Sequence, residues 1–268
     1  MAPPDPPALA LRGLTKVFSG VPAVDRLDLD VPRGSFFGLV GPNGAGKTTT
    51  LSMATGLLRP DAGTSYVDGY DVWGQTRPGE TTRGGPVEAK RRVGILPDGQ
   101  RLFDRLSGPE LLEYTGLLRG MPPDVVDGRS RELLDVLDLT SAGNKLVVDY
   151  SAGMRKKIGL AAALLHSPRL LVLDEPFEAV DPVSAATIRG ILQHYAASGG
   201  TVIFSSHVME LVERLCDHVA VIALGRVLAN GPIDQVRDGR PLEEVFVGLV
   251  GAGPGSGEGL SWLGSSSA

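Results

Sequence analysis

The run Gly41-Pro42-Asn43-Gly44-Ala45-Gly46-Lys47-Thr48 fits the pattern G-x-x-x-x-G-K-T. It lies between an apolar run, Ser35-Phe36-Phe37-Gly38-Leu39-Val40, and a helix-like segment from Thr48 to Leu58. A strand must deliver the chain to such a loop and a helix must leave it, so the pattern restricts the fold to α/β types. Closely spaced glycines let backbone N–H groups converge on an anion, and the helix presents its positive N-terminus to the same place. Gly41, Pro42, Asn43, Gly44, Ala45, Gly46, Lys47, Thr48 and Thr49 are therefore candidate phosphate binders, with Lys47 reaching the terminal phosphates and Thr48 a ligand for Mg²⁺.

The rest of the chain alternates short apolar runs with longer helical patterns, as expected of parallel strands joined by crossovers. Leu170-Leu171-Val172-Leu173 and Thr201-Val202-Ile203-Phe204-Ser205 read as buried strands. Near the end, His218 to Leu224 and Val227-Leu228-Ala229 flank Gly225-Arg226, a link suited to a type II′ hairpin and hence to an antiparallel edge. From about Ser107 to His166 there are helix signals and no convincing strand. Ser107-Gly108-Pro109-Glu110 is a capping box, and Ile158, Ala161, Ala162 and Leu165 mark one helical face. Leu242, Val245, Phe246 and Leu249 repeat that spacing. The 74–86 segment and the tail from 251 to 268 are expected to be flexible.

A second chemical feature is the strand Leu170 to Leu173 running into Asp174-Glu175. A strand end delivers both carboxylates to one place. After a phosphate loop, Asp174 is suited to hold Mg²⁺ through a water, and Glu175 to accept a proton from an attacking water as catalytic base.

With 268 residues, 42% of them hydrophobic and 21% charged, the chain can bury the core of one large domain. A net charge of −5 argues against non-specific binding to nucleic acid, and none is expected. Lys90-Arg91-Arg92 and Arg155-Lys156-Lys157 are local basic patches that could serve as contact points, though most such runs are solvated faces. The single cysteine, Cys216, excludes an internal disulfide and reads as a small buried side chain. The start, Met1 to Pro7, is a Pro-rich tail without the features of a secretory signal. No run approaches the roughly 20 apolar residues of a membrane span, so a membrane role requires a partner.

These ordered elements resemble the ATP-binding-cassette (ABC) transporter ATPases from about Leu9 to Leu249. In that family a helical insert ends in a signature, usually Leu-Ser-Gly-Gly-Gln, shortly before the paired acids; here Tyr150-Ser151-Ala152-Gly153-Met154 stands in that place. Glu178-Ala179-Val180-Asp181-Pro182 corresponds to the D-loop, His207 to the switch histidine near the γ-phosphate, and Phe18 to an aromatic that stacks on adenine. Each has a plainer reading: Ser151 and Asp181 as helix caps, His207 and Phe18 as structural side chains.

The resemblance implies a P-loop NTPase core of mainly parallel sheet with an antiparallel β edge and an inserted helical subdomain at about 104–168. The domain spans 9–250 between tails at 1–8 and 251–268. It further implies ATP and Mg²⁺ as cofactors and catalytic roles for Lys47, Glu175 and His207. Ser151 and Gly153 would touch the ATP of a second ATPase in a head-to-tail dimer, which can be another copy of this chain or a paralogue.

An integral membrane permease subunit would be the partner and the cytoplasmic face of the membrane the location. Tyr-Ser-x-Gly-Met-Arg-Lys-Lys and the final Leu242-Glu243-Glu244-Val245-Phe246 are most like the exporters of drugs, antibiotics or polysaccharides, so the resemblance implies ATP-powered export of a small molecule or polymer. The alternatives are a soluble ABC ATPase without a transport role and a nucleotide-binding regulator that does not hydrolyse. Two departures stand out. Asp98, in Val93-Gly94-Ile95-Leu96-Pro97-Asp98, occupies the place of the Q-loop glutamine near Mg²⁺, with Gln100 an alternative two residues on; and the signature carries Ala152 and Met154.

Overall fold

The computed structural model describes residues 6–74, 84–99 and 102–251. The expectations on residues 1–5, on Gln100, on most of the 74–86 segment and on nearly all of the 251–268 tail therefore lie outside the described residues.

Two sheets sandwich the first helix. The larger has six strands in the order β10-β9-β3-β8-β7-β6. Strands β3 (Phe36–Val40), β6 (Val93–Leu96), β7 (Leu170–Leu173), β8 (Thr201–Ser206) and β9 (His218–Ala223) run parallel, and β10 (Arg226–Pro232) is the antiparallel edge. Every residue of β3, β7 and β8 is buried, because helices or the second sheet cover both faces. Phe36 and Phe37 divide by strand alternation, each joining the core on its own side.

The second sheet is antiparallel, with β1 (Leu9–Phe18), β2 (Val21–Val31), β4 (Ala62–Val67) and β5 (Tyr70–Asp71) in the order β2-β1-β4-β5. Helix α1 (Lys47–Thr55) lies between the sheets and shares one core with Leu9, Leu14 and Val67 on one side and Phe37 and Leu39 on the other. Its sequence has no apolar stripe, as fits a helix covered on two sides.

After α2 (Pro86–Arg91), the stretch between β6 and β7 holds α3 (Gly108–Leu118), α4 (Pro123–Val136), two short 3₁₀ turns and α5 (Ala152–Leu164). The expected capping box opens α3: Ser107 Oγ accepts from the Glu110 amide and the Glu110 carboxylate accepts from the Ser107 amide. Helix α5 lies close on β6, where a Cβ on Gly94 would stand 2.2 Å from the Ala163 carbonyl oxygen. Helices α6 (Pro182–Ala197), α7 (Met209–Leu215), α8 (Ile233–Arg237) and α9 (Leu242–Val250) complete the fold. Ile158, Ala161 and Leu165 are fully buried, as is Leu242; Val245 is buried, whereas Leu249 is exposed.

The last hairpin differs from the sequence expectation. Arg226 pairs with Ala223, so the turn is Leu224-Gly225 and not Gly225-Arg226. Both turn residues have positive φ, 49° and 73°, which is the type I′ signature and not II′. Arg226 stands in the strand, where its side chain pairs with Asp25 on β2.

Candidate nucleotide site

The glycine loop leaves β3 at Val40 and enters α1 at Lys47. Its glycines answer separate steric demands. A Cβ on Gly41 would lie 2.3 Å from the Ile222 carbonyl oxygen, and one on Gly46 (φ +100°) would lie 2.4 Å from that of Ala23. Gly44, at φ +79°, has open space around it. Gly46 begins α1 without a side-chain cap, and the first turn carries no acid. The first amides of the helix thus keep their donors for an anion. Lys47, only 7% exposed, folds back over the loop: its Nζ donates to the carbonyls of Gly41 (2.8 Å) and Pro42 (3.3 Å).

The two acids sit at the end of β7, where the chain crosses from strand to loop. Asp174 is buried; its amide donates to the Leu96 carbonyl and its Oδ1 accepts from Ser205 Oγ at 2.5 Å. The same Ser205 oxygen accepts from the Glu175 amide at 2.9 Å. Glu175 has φ +45°, a left-handed conformation that side chains resist. Its carboxylate stands between a cation and an imidazole, with Oε1 3.7 Å from Lys47 Nζ and Oε2 3.2 Å from His207 Nδ1. A carboxylate so placed, near an anion-binding loop and partly buried, can take a proton from a water at the loop.

A cleft of about 470 Å³ gathers most of the sequence candidates: Phe18, Asn43 to Thr49, Asp98, Glu175 and His207. Gly41 and Pro42 are not on its lining but meet Lys47 Nζ through their carbonyls, and Asp174 is not on its lining either. Phe18 on its lining is 48% exposed and outside the core, with Lys16 Nζ 5.7 Å from its ring centre. Asp98 also lines the cleft; its Oδ1 accepts from the Gly99 amide at 2.8 Å and lies 3.8 Å from Lys156 Nζ.

Ser151 and Gly153 do not line this cleft. Ser151 is exposed and caps α5, accepting from the Met154 amide. Gly153 backs onto Asp181, whose Oδ2 would be 2.9 Å from an added Cβ. Asp181 caps α6, and the Ser184 amide, then the Ser184 hydroxyl, holds its carboxyl below the usual range. A larger cleft, about 720 Å³ between α3 and α4, contains none of the motif residues.

For a cation the structure offers the oxygens of Thr48, Asp98 and Asp174. Among the described residues no cluster of three or more acids, histidines or cysteines forms a metal centre by itself. Such a donor set fits Mg²⁺, which takes one or two carboxylates and shares the rest of its shell with phosphate and water.

Two contributors escape a reading of the sequence. Ser205 was legible only as a strand residue, although two buried hydroxyls ending an otherwise apolar strand beside the acids are a signal. Lys156, read as part of a solvated basic run, donates to the Glu175 carbonyl at 2.8 Å. In the other basic run, Arg92 pairs with Glu88 and lies over the Tyr70 ring.

Fold and loop together define a P-loop protein of the cassette type. The ABC transporter family model matches residues 24–178, and the chain belongs to that family. It is 37% identical over 230 residues to the daunorubicin/doxorubicin resistance ATP-binding protein DrrA of Streptomyces peucetius, covering 86% of this chain and 67% of the relative. A solved ATP-binding subunit of an ABC transporter superposes with a TM-score of 0.80 at 27% identity, covering 91% of this chain and all of the other. A dimeric ATP-binding cassette in a post-hydrolysis state, bound to ADP and Pi, shares the fold at a TM-score of 0.73 and 22% identity, over 84% of this chain and 98% of its own. The likeness to drug-resistance ATP-binding proteins agrees with the exporter-like signature. Among the described residues no helix is long and apolar enough to cross a membrane.

Proposed function

We propose that this chain binds ATP with Mg²⁺, hydrolyses it, and powers export of a small molecule or polymer through a separate membrane subunit. The observation that carries this reading is the placement of Glu175 between Lys47 and His207 at the edge of the glycine-loop cleft. The amides of Gly44 to Thr49 and the Lys47 ammonium hold the triphosphate, and Phe18 stacks on the adenine. Thr48, Asp174 and Asp98 hold Mg²⁺, which supplies neutralisation of the phosphate charge when bound. Glu175 takes the proton of the attacking water, and His207 orients Glu175 and meets the γ-phosphate.

Ser151 and Gly153 open the 13-residue helix α5 away from this cleft, which supports their use on the ATP of a second ATPase in a head-to-tail dimer. The dimeric solved cassette of the same fold is consistent with that arrangement. We place one cassette at 9–250 with a helical subdomain at about 104–168, bound to a permease at the cytoplasmic face of the membrane. The resistance function of the Streptomyces relative supports export.

The test is to isolate the chain from its native membranes and measure ATP turnover with Glu175→Gln alongside. Co-isolation with an integral membrane protein and loss of turnover in the variant are expected. Wild-type turnover in Glu175→Gln would remove Glu175 as the base.

A further inference from the structure

Lys156 has no part in the roles above, yet it joins the helix that starts at Ser151 to the segment that carries Glu175. It lies in the second turn of α5, mostly buried, with 18% of its side chain exposed. Its Nζ donates to the Glu175 carbonyl at 2.8 Å and stands 3.8 Å from Asp98 Oδ1. The neighbouring Arg155 turns elsewhere, toward the Val148 carbonyl.

The backbone at Glu175 needs such support. Its φ of +45° lies in the left-handed region, where a residue with a Cβ persists only when its surroundings hold it. The hold comes from both ends of the residue: Ser205 Oγ accepts from the Glu175 amide, and Lys156 donates to its carbonyl. That carbonyl also accepts from the Glu178 amide at 3.2 Å, which closes the turn after the acid. Near the same ammonium, Asp98 is 47% exposed in its side chain. Its Oδ1 is shared between the Gly99 amide and the Lys156 ammonium.

We propose that Lys156 is a positioning residue: it locks the left-handed backbone of Glu175 and ties Asp98 to the same ammonium, so that both residues of the cleft move with α5. The proposal rests on the reading of Glu175 as the base. A shift of α5 relative to the sheet then changes the aim of Glu175 and the place of Asp98 in one motion. The helix that presents Ser151 thereby acts on its own chain's cleft.

Three variants of the full chain separate the tasks of Lys156. Lys156→Met removes the donor, Lys156→Gln keeps a donor without the charge, and Asp98→Asn removes the partner charge. Lys156→Met is expected to lower kcat about tenfold, with the ATP KM changed by less than about twofold, since alignment and not binding is lost. Lys156→Gln is expected to recover most of that kcat. Adding Asp98→Asn to Lys156→Met is expected to cost less than it does in the native background, because the partner is already gone. In the nucleotide-free protein, amide exchange at 177–178 should accelerate in the Met variant and stay slow in the Gln variant.

Native kcat in Lys156→Met, or equal kcat and equal exchange in Met and Gln, would overturn the proposal. Absence of turnover in the unmodified chain would instead overturn the reading of Glu175. The exchange comparison would then still decide whether Lys156 holds that backbone.

Discussion

Glu175 Oε2 lies 3.2 Å from His207 Nδ1, and the two residues come from the ends of adjacent strands, β7 and β8. The contact requires both strand ends to stop at the same level. Glu175→Gln preserves the shape and a hydrogen-bonding group toward His207 but cannot take a proton. Steady-state ATP turnover is expected to fall by about 10²- to 10⁴-fold with ATP affinity retained. Turnover assays beside fluorescent-nucleotide titration measure both, and a variant that lost affinity in step with rate would contradict the assignment.

Lys47→Ala addresses binding. In the structure Lys47 Nζ satisfies the carbonyls of Gly41 and Pro42, and ATP would draw it outward to the phosphates. A hydrogen bond from a charged group contributes about 1.5–3 kcal/mol, so ATP affinity should drop by roughly ten- to a hundredfold. Unchanged binding by equilibrium titration would mean that the loop amides suffice.

Ser205→Ala leaves the buried Asp174 without its hydroxyl donor and the Glu175 amide without its acceptor. Loss of a buried partner costs about 1–3 kcal/mol. Both a lower thermal midpoint and slower turnover are expected, and Ser205→Thr, which retains the hydroxyl, should recover much of each. Equal midpoints in Ala, Thr and native chains would show that water replaces the hydroxyl.

His166 gives the fold a pH dependence. Burial first, then the charges of Arg119 and Arg129, lower its pKa to about 4, while its Nε2 meets the Val93 carbonyl. Above the unfolded value of 6.5 the ring is neutral in both states. Between there and about 4 the unfolded chain takes up a proton that the folded chain refuses, so stability falls as pH falls. The slope is at most about 1.4 kcal/mol per pH unit, and less because the ring is only partly buried. Denaturant midpoints from pH 7 to 4.5 should fall less steeply for His166→Gln than for the native chain; parallel curves would remove His166 as the cause.

What the sequence made legible was local. The glycine loop, the acids after Leu173, the Ser107 capping box and the Asp181-Pro182 helix start are contiguous patterns, and each stands where its spacing predicts. The antiparallel sheet was not legible. Strand β1 is interrupted between Leu11 and Leu14, where Gly13 takes φ +58° and the pairing with β2 shifts register. Such a bulge breaks the alternation by which a strand is recognised. Ser205 and Lys156 were missed for another reason: their roles arise from strand order and helix placement, which bring residues far apart in sequence to Asp174 and Glu175. The hairpin turn was misplaced because Leu224 takes a positive φ that a branched apolar side chain disfavours, so its place in the turn carries no signal in the sequence.

The Leu224-Gly225 turn has a consequence for biosynthesis. The Gly225 amide donates to the Ala45 carbonyl within the glycine loop, its own carbonyl accepts from Asp25, and it fits only because a glycine passes the Ala23 backbone closely. The loop is thus braced by residues about 180 positions downstream, a long closure to complete during folding. A nascent chain in which the loop has emerged but Gly225 has not should fail to retain ATP, and nucleotide capture should appear only after the last strands dock. Ribosome-stalled chains of increasing length, probed with a crosslinking ATP analogue, would time that step; early capture would show that the loop matures without its brace.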